Sequence, residues 1–367
     1  MIQSQPWQVY FTSLSFIFAY AVPGMPVMSA WLGEISQHPN LFAAFPLVFA
    51  YVFVPILEGL FPYGIQPIPD KFAGERSASL YYRLLLWLSL PIQLGMLYIT
   101  LHYWNLNPFN TWGSLAYILS VGIYSGMFAI TVAHELIHHQ QSCDRLLGGI
   151  LLSTVGFGSF KIVHLRIHHR YIGTPLDFAT AKRGQSIYSF WWINLIGNIS
   201  EAIRCEKEEL AKTGRAFWQS ELLLWNGLSL LWLTIAILIG GWRGGLFWVL
   251  QAIVAILKLD WTNYLQHYGL TRKQDGDGRY EPVQAYHAWS VGLFIHDLAI
   301  FNLLRHGDHH LNPQKHYQSL KHYDDTPEYP YNYSIMYLLS LVPPLFQQIV
   351  HEHLDNFEVQ QQQYQGA

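Results

Sequence analysis

Charge is what this chain of 367 residues has least of. Asp, Glu, Lys and Arg together make up 12%, about half the share of an ordinary globular domain, so the surface of a water-soluble enzyme is missing. A formal net charge of −3 provides no basic field for nucleic acid or other polyanions. Cysteine is nearly absent. Cys143 and Cys205 are the only two, too few for a disulfide framework, an all-cysteine zinc site or an iron–sulfur cluster. No GxGxxG follows a strand pattern and no Walker loop occurs, so the chain carries no nicotinamide, flavin or nucleotide fingerprint. No repeat of fixed period is visible, and no linker separates two domains.

Apolar side chains fill the space, at 51% with 16% aromatic. About 20 apolar residues in a row cross a bilayer as a helix. Phe11–Leu32, Leu84–Trp104, Trp112–Ala133 and Leu222–Trp242 contain no Asp, Glu, Lys or Arg. Leu41–Phe61 carries only Glu58, and Gly244–Tyr264 is apolar to Leu257 before it admits Lys258 and Asp260. These runs predict an all-α integral membrane protein with six transmembrane helices, over 11–32, 41–61, 84–104, 112–133, 222–242 and 244–264. Three shorter stretches, Leu146–Phe160, Tyr188–Ile199 and Trp289–Leu304, are expected as helices at the interface or packed under the bundle.

The basic residues orient the bundle. Of 21 lysines and arginines, 19 lie in three places: after the second span (Lys71, Arg76, Arg83), in the segment from Arg145 to Arg215, and after Tyr264. Such segments stay on the cytoplasmic side. The expectation is one membrane domain over 1–367 in the inner (cytoplasmic) membrane. Both termini face the cytoplasm, and a cytoplasmic helical cap is formed by 134–216 and 265–367. The first ten residues hold no basic n-region, so the first span is expected to be a retained anchor.

Histidine is the anomaly, with 18 in an apolar chain. Ten fall in four places: His134, His138 and His139 at the end of the fourth span; His164, His168 and His169; His267 after the sixth span; and His306, His309 and His310. On a helix, residues i and i+4 share a face. His134 should therefore converge with His138, His164 with His168, and His306 with His309 and His310, while His169 turns away toward a second ion. Setting His139 aside leaves nine imidazoles, too many for one ion and about right for two. A nitrogen-rich set with no cysteine or carboxylate cluster favours two redox-active non-haem iron ions. Glu135, Asp177 and Asp308 are candidates to accept a hydrogen bond from a ligand imidazole and orient it. His287 and His296 are further candidates near the last box.

Bland readings cover the other histidines. His38, His102, His351 and His353 read as ordinary interfacial or hydrogen-bonded residues, and His316 and His322 as surface residues. His134-Glu135-x-x-His138 also matches a metalloprotease helix, but that reading leaves the remaining clustered histidines unexplained. Because the chain has no nucleotide or flavin motif, electrons for cycling irons must come from another protein.

With these boxes in place, the chain resembles the integral-membrane alkane 1-monooxygenases of the fatty-acid desaturase/hydroxylase superfamily. The resemblance is carried by Asn263-Tyr264-Leu265-Gln266-His267-Tyr268-Gly269-Leu270 and Leu304-Arg305-His306-Gly307-Asp308-His309-His310. Gly278-Arg279-Tyr280-Glu281, Thr174-Pro175-Leu176-Asp177, Tyr317-Gln318-Ser319-Leu320 and Pro343-Pro344 add to it. It implies a diiron site held by His134, His138, His164, His168, His169, His267, His306, His309 and His310. It implies dioxygen as oxidant, a rubredoxin-like electron donor with its reductase, and hydroxylation of the terminal methyl of an alkyl chain drawn from the membrane.

The chain departs from the family at Val163 and Ile167 in the second box, at His139 where a lysine is usual, and at Ala288-Trp289-Ser290-Val291-Gly292-Leu293 after His287. The nine histidines are untouched; the changes bear on substrate. Relatives limited to medium-length alkanes carry a Trp on the second span just before a Tyr. By the match through Tyr51 and Pro55, Ala50 takes that place, where a small residue would admit a longer chain or simply pack against a neighbouring helix. The same scaffold also serves an acyl-lipid desaturase or a hydroxylase of methyl groups on aromatic rings. From a different class, a membrane transporter or metal-binding protein would place its histidines along the spans.

Overall fold

The computed structural model describes residues 6–61, 64, 65, 67 and 80–366. Among the described residues the regular structure is helical, apart from an isolated antiparallel bridge between Gln274 and Tyr280. Four helices are long and apolar enough to cross a membrane: α1 (Phe11–Ser36), α3 (Leu80–Asn105), α4 (Thr111–His138) and α8 (Glu221–His267). A shorter apolar helix, α2 (Phe45–Leu60), follows α1. Pro55 has no N–H to donate, and it stands just after a π-helical turn at Phe49–Phe53 that widens α2.

The 47 residues of α8 contain one break. Gly241 has φ 59° and ψ −151°, a conformation that only glycine adopts cheaply. The chain reverses there: a side chain on Gly244 would strike the backbone of Ala236 and one on Gly245 would strike Ile237, so α8 is two helices folded back on each other, as expected of the fifth and sixth spans joined by a tight turn. Beside the break, the Arg243 guanidinium donates to Asn107 Oδ1 at 2.8 Å and stacks on Trp104, which ties it to the connection between α3 and α4.

Helix α4 is the centre of the bundle. In its most apolar window 78% of residues are buried, against 17% for α8, so α8 presents most of its surface outward. The two helices approach closely along Gly122 and Gly126, where a side chain would collide with Val254 or with the backbone of Ala255; small residues permit such contact between membrane helices. A second π-helical turn, Gly126–Ile130, lies where α4 passes α8.

The polar half of the chain packs on one end of these helices. It includes α5 (Ser142–Thr154), α6 (Gly158–Val163), α7 (Ile187–Thr213), α9 (Phe294–Ala299), α10 (His306–Leu311), α11 (Tyr333–Ser340) and α12 (Pro343–Gly366). α7 buries Phe190, Asn194, Asn198 and Ala202 while exposing Trp192, Ile196 and Ile199, an outward apolar face of the kind expected from Tyr188–Ile199. Trp289–Leu304 differs from expectation, because only α9 within it is helical. Phe301 and Asn302 take φ of 53° and 59°, and Asn302 is held there by donating to Tyr317 O at 2.9 Å. Of the basic residues that orient the bundle, Lys71 and Arg76 lie outside the described residues.

Candidate metal centre

The nine histidines singled out by spacing arrive from four segments. His134 and His138 end α4, His164 to His169 continue α6, His267 ends α8, and His306, His309 and His310 lie on α10. They form two groups. Ring nitrogens of His134, His138, His164, His169 and His309 lie within 4.8 Å of one another, and so do those of His168, His267, His306 and His310.

The partition corrects the helical-spacing expectation. His164 pairs with His169 rather than with His168, because His164–His168 is a π-helical turn, and widening the turn brings residue i+5 under residue i. His168 faces the second group instead. On α10, His306 keeps company with His310, while His309 swings across to the first group.

The nitrogen spacings discriminate between explanations. Nε2 of His164 is 3.0 Å from Nε2 of both His138 and His169, and Nε2 of His169 is 3.1 Å from that of His309. In the second group, Nε2 of His306 is 3.0 Å from that of His310 and 3.1 Å from that of His267. A neutral imidazole nitrogen either donates one proton or accepts one, so a run of four nitrogens cannot be satisfied by hydrogen bonds alone. A cation satisfies it. Two ligands at right angles with metal–nitrogen bonds of ~2.1 Å stand ~3.0 Å apart, whereas tetrahedral ligands stand ~3.4 Å apart. The residues present therefore fit a metal of higher coordination number than structural zinc.

Protonation agrees. Burial, reinforced by neighbouring imidazoles, drives the pKa of His164, His169, His306, His309 and His310 well below the ordinary value. A lowered pKa favours the neutral ring with a free lone pair, the form a metal binds. Both nitrogens of His134 and Nε2 of His168 are buried without a protein partner.

Around the nine, the three carboxylates behave differently. Asp177 Oδ2 lies 2.9 Å from Nδ1 of His168 and also accepts from Thr180 Oγ1 at 2.8 Å, the arrangement that fixes the tautomer of a ligand. Glu135 turns away from His134 and His138. Its Oε1 accepts from the Tyr317 backbone N–H at 3.1 Å and meets His139 Nε2 at 3.2 Å, which is not the geometry of a metalloprotease base. Asp308 touches none of the imidazoles; its oxygens hold Lys315 Nζ, the Lys321 N–H and Asn312 Nδ2. The His287 ring accepts from the Gln284 N–H and meets Glu281, and His296 pairs with Glu58 at 2.8 Å. Neither ring joins a cluster.

A third group was not legible in the sequence. Glu135, His139 and His316 bring ligand atoms within 4.8 Å of one another, and Nδ1 of His139 meets Asp144 at 2.8 Å. Burial opposes charge on His139, but Glu135 and Asp144 outweigh it and hold its pKa above the ordinary value. This is an ion-paired buttress behind α4 centred on His139. The signal available in advance was the pair of carboxylates within five residues of His139.

Above the two histidine groups lies a cavity of about 510 Å³ between α1, α2, α4, α8, α9 and α11. Ala50 is on its wall. Thr131 and Leu303 bound it three residues before His134 and His306.

The family model for fatty acid desaturases matches residues 110–338. Alkane 1-monooxygenase 2 of Pseudomonas aeruginosa is 35% identical over 95% of this chain and 93% of its own. Alkane 1-monooxygenase 1 of the same organism is 38% identical over 87% and 85%. The hydroxylase component of a Pseudomonas putida xylene/toluene monooxygenase is 30% identical over 76% and 75%.

Proposed function

The chain belongs to the fatty acid desaturase family, on the branch of the alkane 1-monooxygenases, and from that premise we propose that it hydroxylates the terminal methyl of an alkyl chain to a primary alcohol at a pair of iron ions. His134, His138, His164, His169 and His309 would hold one ion, and His168, His267, His306 and His310 the other. The observation that carries this reading is the 3.0–3.1 Å convergence of buried Nε2 atoms into two adjoining sets. When bound, such a pair supplies the activation of dioxygen, one oxygen going to the substrate and the other to water at the cost of two electrons and two protons.

The protein does the rest. Asp177 keeps His168 in the tautomer that leaves Nε2 free. The apolar cavity holds the alkyl chain away from water and delivers its end to the histidine groups. Electrons come from a rubredoxin-like protein with its reductase, since the chain has no nucleotide or flavin motif of its own. A pocket over His138 and His169, lined by Gln140, Arg145 and Gln314, is the polar approach that supports this. We place the protein in the inner membrane as a single domain of six spans, the two halves of α8 counted separately. Both termini and the helical cap then lie in the cytoplasm, which the distribution of Lys and Arg supports.

A second substrate class has support of its own. Similarity to a xylene/toluene hydroxylase component, with the altered run Ala288–Leu293, favours methyl groups on aromatic rings as further substrates. The test is product analysis under labelled dioxygen, from cells fed decane and from cells fed p-xylene. A primary alcohol carrying one labelled oxygen supports the hydroxylase, whereas an alkene without label makes the chain a desaturase.

A further inference from the structure

We propose that the cavity is built to take an alkyl chain ending in a carboxylate, and that Lys258 and Tyr51 are the pair that holds this acidic end. The proposal rests on the hydroxylase reading and names a substrate class for it, alkanoates hydroxylated at the far methyl.

Lys258 lies on α8 and is 5% exposed. Its side chain is on the cavity wall, and among the described residues it has no hydrogen bond and no ion pair. The ammonium sits 3.2 Å from the centre of the Tyr337 ring and 5.8 Å from that of Trp261. Asp260, the nearest acid in sequence, accepts from Asn194 on α7 at 2.8 Å instead. Tyr51 is on the same wall, with its ring 6.2 Å from that of Trp261, and its hydroxyl is buried without a partner. The neighbours are satisfied: Tyr337 Oη meets Thr262 Oγ1 at 2.8 Å, and Tyr124 Oη donates to Pro46 O at 2.9 Å.

Two unpaired donors, both beside the Trp261 ring, therefore line one largely apolar chamber, whose other polar wall groups include His296, already paired with Glu58. An ionisable group inside a membrane bundle is costly and is kept where it has a use. The Tyr337 face offsets part of the cost through a cation–π contact, but a ring face leaves the ammonium N–H groups without an acceptor. A carboxylate accepts from Lys258 Nζ through one oxygen and from Tyr51 Oη through the other, as charge-assisted hydrogen bonds. A neutral alkane satisfies neither.

The placement also fits the reaction. Lys258 is nine residues before His267, about 13 Å of helix. A carboxylate held there leaves a medium-length chain to run past Thr262 and Thr131 toward the histidine groups, methyl end first. Both donors stand beside widened helix: Tyr51 is inside the π-turn of α2, and Lys258 packs against Gly126 at the start of the π-turn of α4.

The experiment compares decanoate, methyl decanoate and decane on the full-length protein and on the Lys258→Met, Lys258→Arg and Tyr51→Phe variants. In detergent, without turnover, decanoate should raise the thermal midpoint of the wild type and of Lys258→Arg more than methyl decanoate does. That difference should vanish in Lys258→Met. In membranes with the electron donor, the ratio of kcat/KM for decanoate over decane should fall about tenfold or more in Lys258→Met through KM, and by less in Tyr51→Phe. The unliganded midpoint of Lys258→Met should not fall, because a methionine fills the site without a buried charge. If wild type and Lys258→Met are stabilised equally by decanoate, or if Lys258→Met lowers the unliganded midpoint and leaves selectivity alone, Lys258 is a structural residue and the proposal fails. Decane hydroxylation without any preference for decanoate overturns this proposal alone. Decanoate binding that depends on Lys258, with no product from any substrate, upholds the carboxylate site and overturns the hydroxylase reading on which its substrate role rests.

Discussion

Nε2 of His138 and Nε2 of His164 lie 3.0 Å apart although 26 residues separate them. Two buried imidazoles brought nitrogen to nitrogen, with a third at the same distance from His164, need a shared cation. Replacing His138, His168 or His309 with Ala should abolish both metal binding and hydroxylation. His38→Ala should do neither. His38 is exposed beside the start of α4, about 35 Å of helix from His134. Metal analysis and product yield on the four variants decide this, and equal loss in all four would mean the ligands are misassigned.

Asp177→Ala should weaken metal binding about 10–100-fold without removing a ligand, because His168 loses the acceptor at 2.9 Å that orients it. Competition with a chelator measures this. An unchanged affinity would show that Thr180 and the backbone position His168 without the carboxylate.

Ala50→Trp should shorten the alkyl chains accepted, since Ala50 lines the cavity at the π-turn of α2 and an indole there reduces its length. Product yields across alkanes of several lengths test this. Unchanged chain-length selectivity would make Ala50 a packing residue.

Arg305→Ala should destabilise the fold by about 3–5 kcal/mol, the usual result of breaking a buried ion pair. Arg305 and Asp297 are 2% and 0% exposed and meet at 2.6 Å, and the same guanidinium donates to Leu320 O at 2.7 Å and to Ile65 O. Arg305 immediately precedes His306, so its loss should also loosen the four-histidine group. Thermal unfolding in detergent, with metal content on the same sample, checks both effects.

The apolar helices and the convergence of the nine histidines were readable in advance for one reason: each is a local pattern. Uncharged runs show a helix wherever they occur, and His134 with His138 needs only the helical period. Which histidine meets which was not readable, because the period fails at His164–His168, where a π-turn replaces the α-turn. The reversal at Gly241, by contrast, falls where one uncharged run gives way to the next, a break the apolar pattern already marks. Long-range partners left no trace either. Nothing near His139 announces His316, 177 residues away at 3.1 Å. Asp308 misled through proximity in sequence, since it sits between ligands yet bonds to Lys315 and to the segment after α10.

The most direct test counts metal ions per chain in protein purified from iron-supplemented cells, for the wild type, His138→Ala and His310→Ala. The account predicts two irons in the wild type and loss of iron in each variant. A wild type that binds one ion or none after iron loading, or that keeps two ions when either histidine is removed, would contradict it.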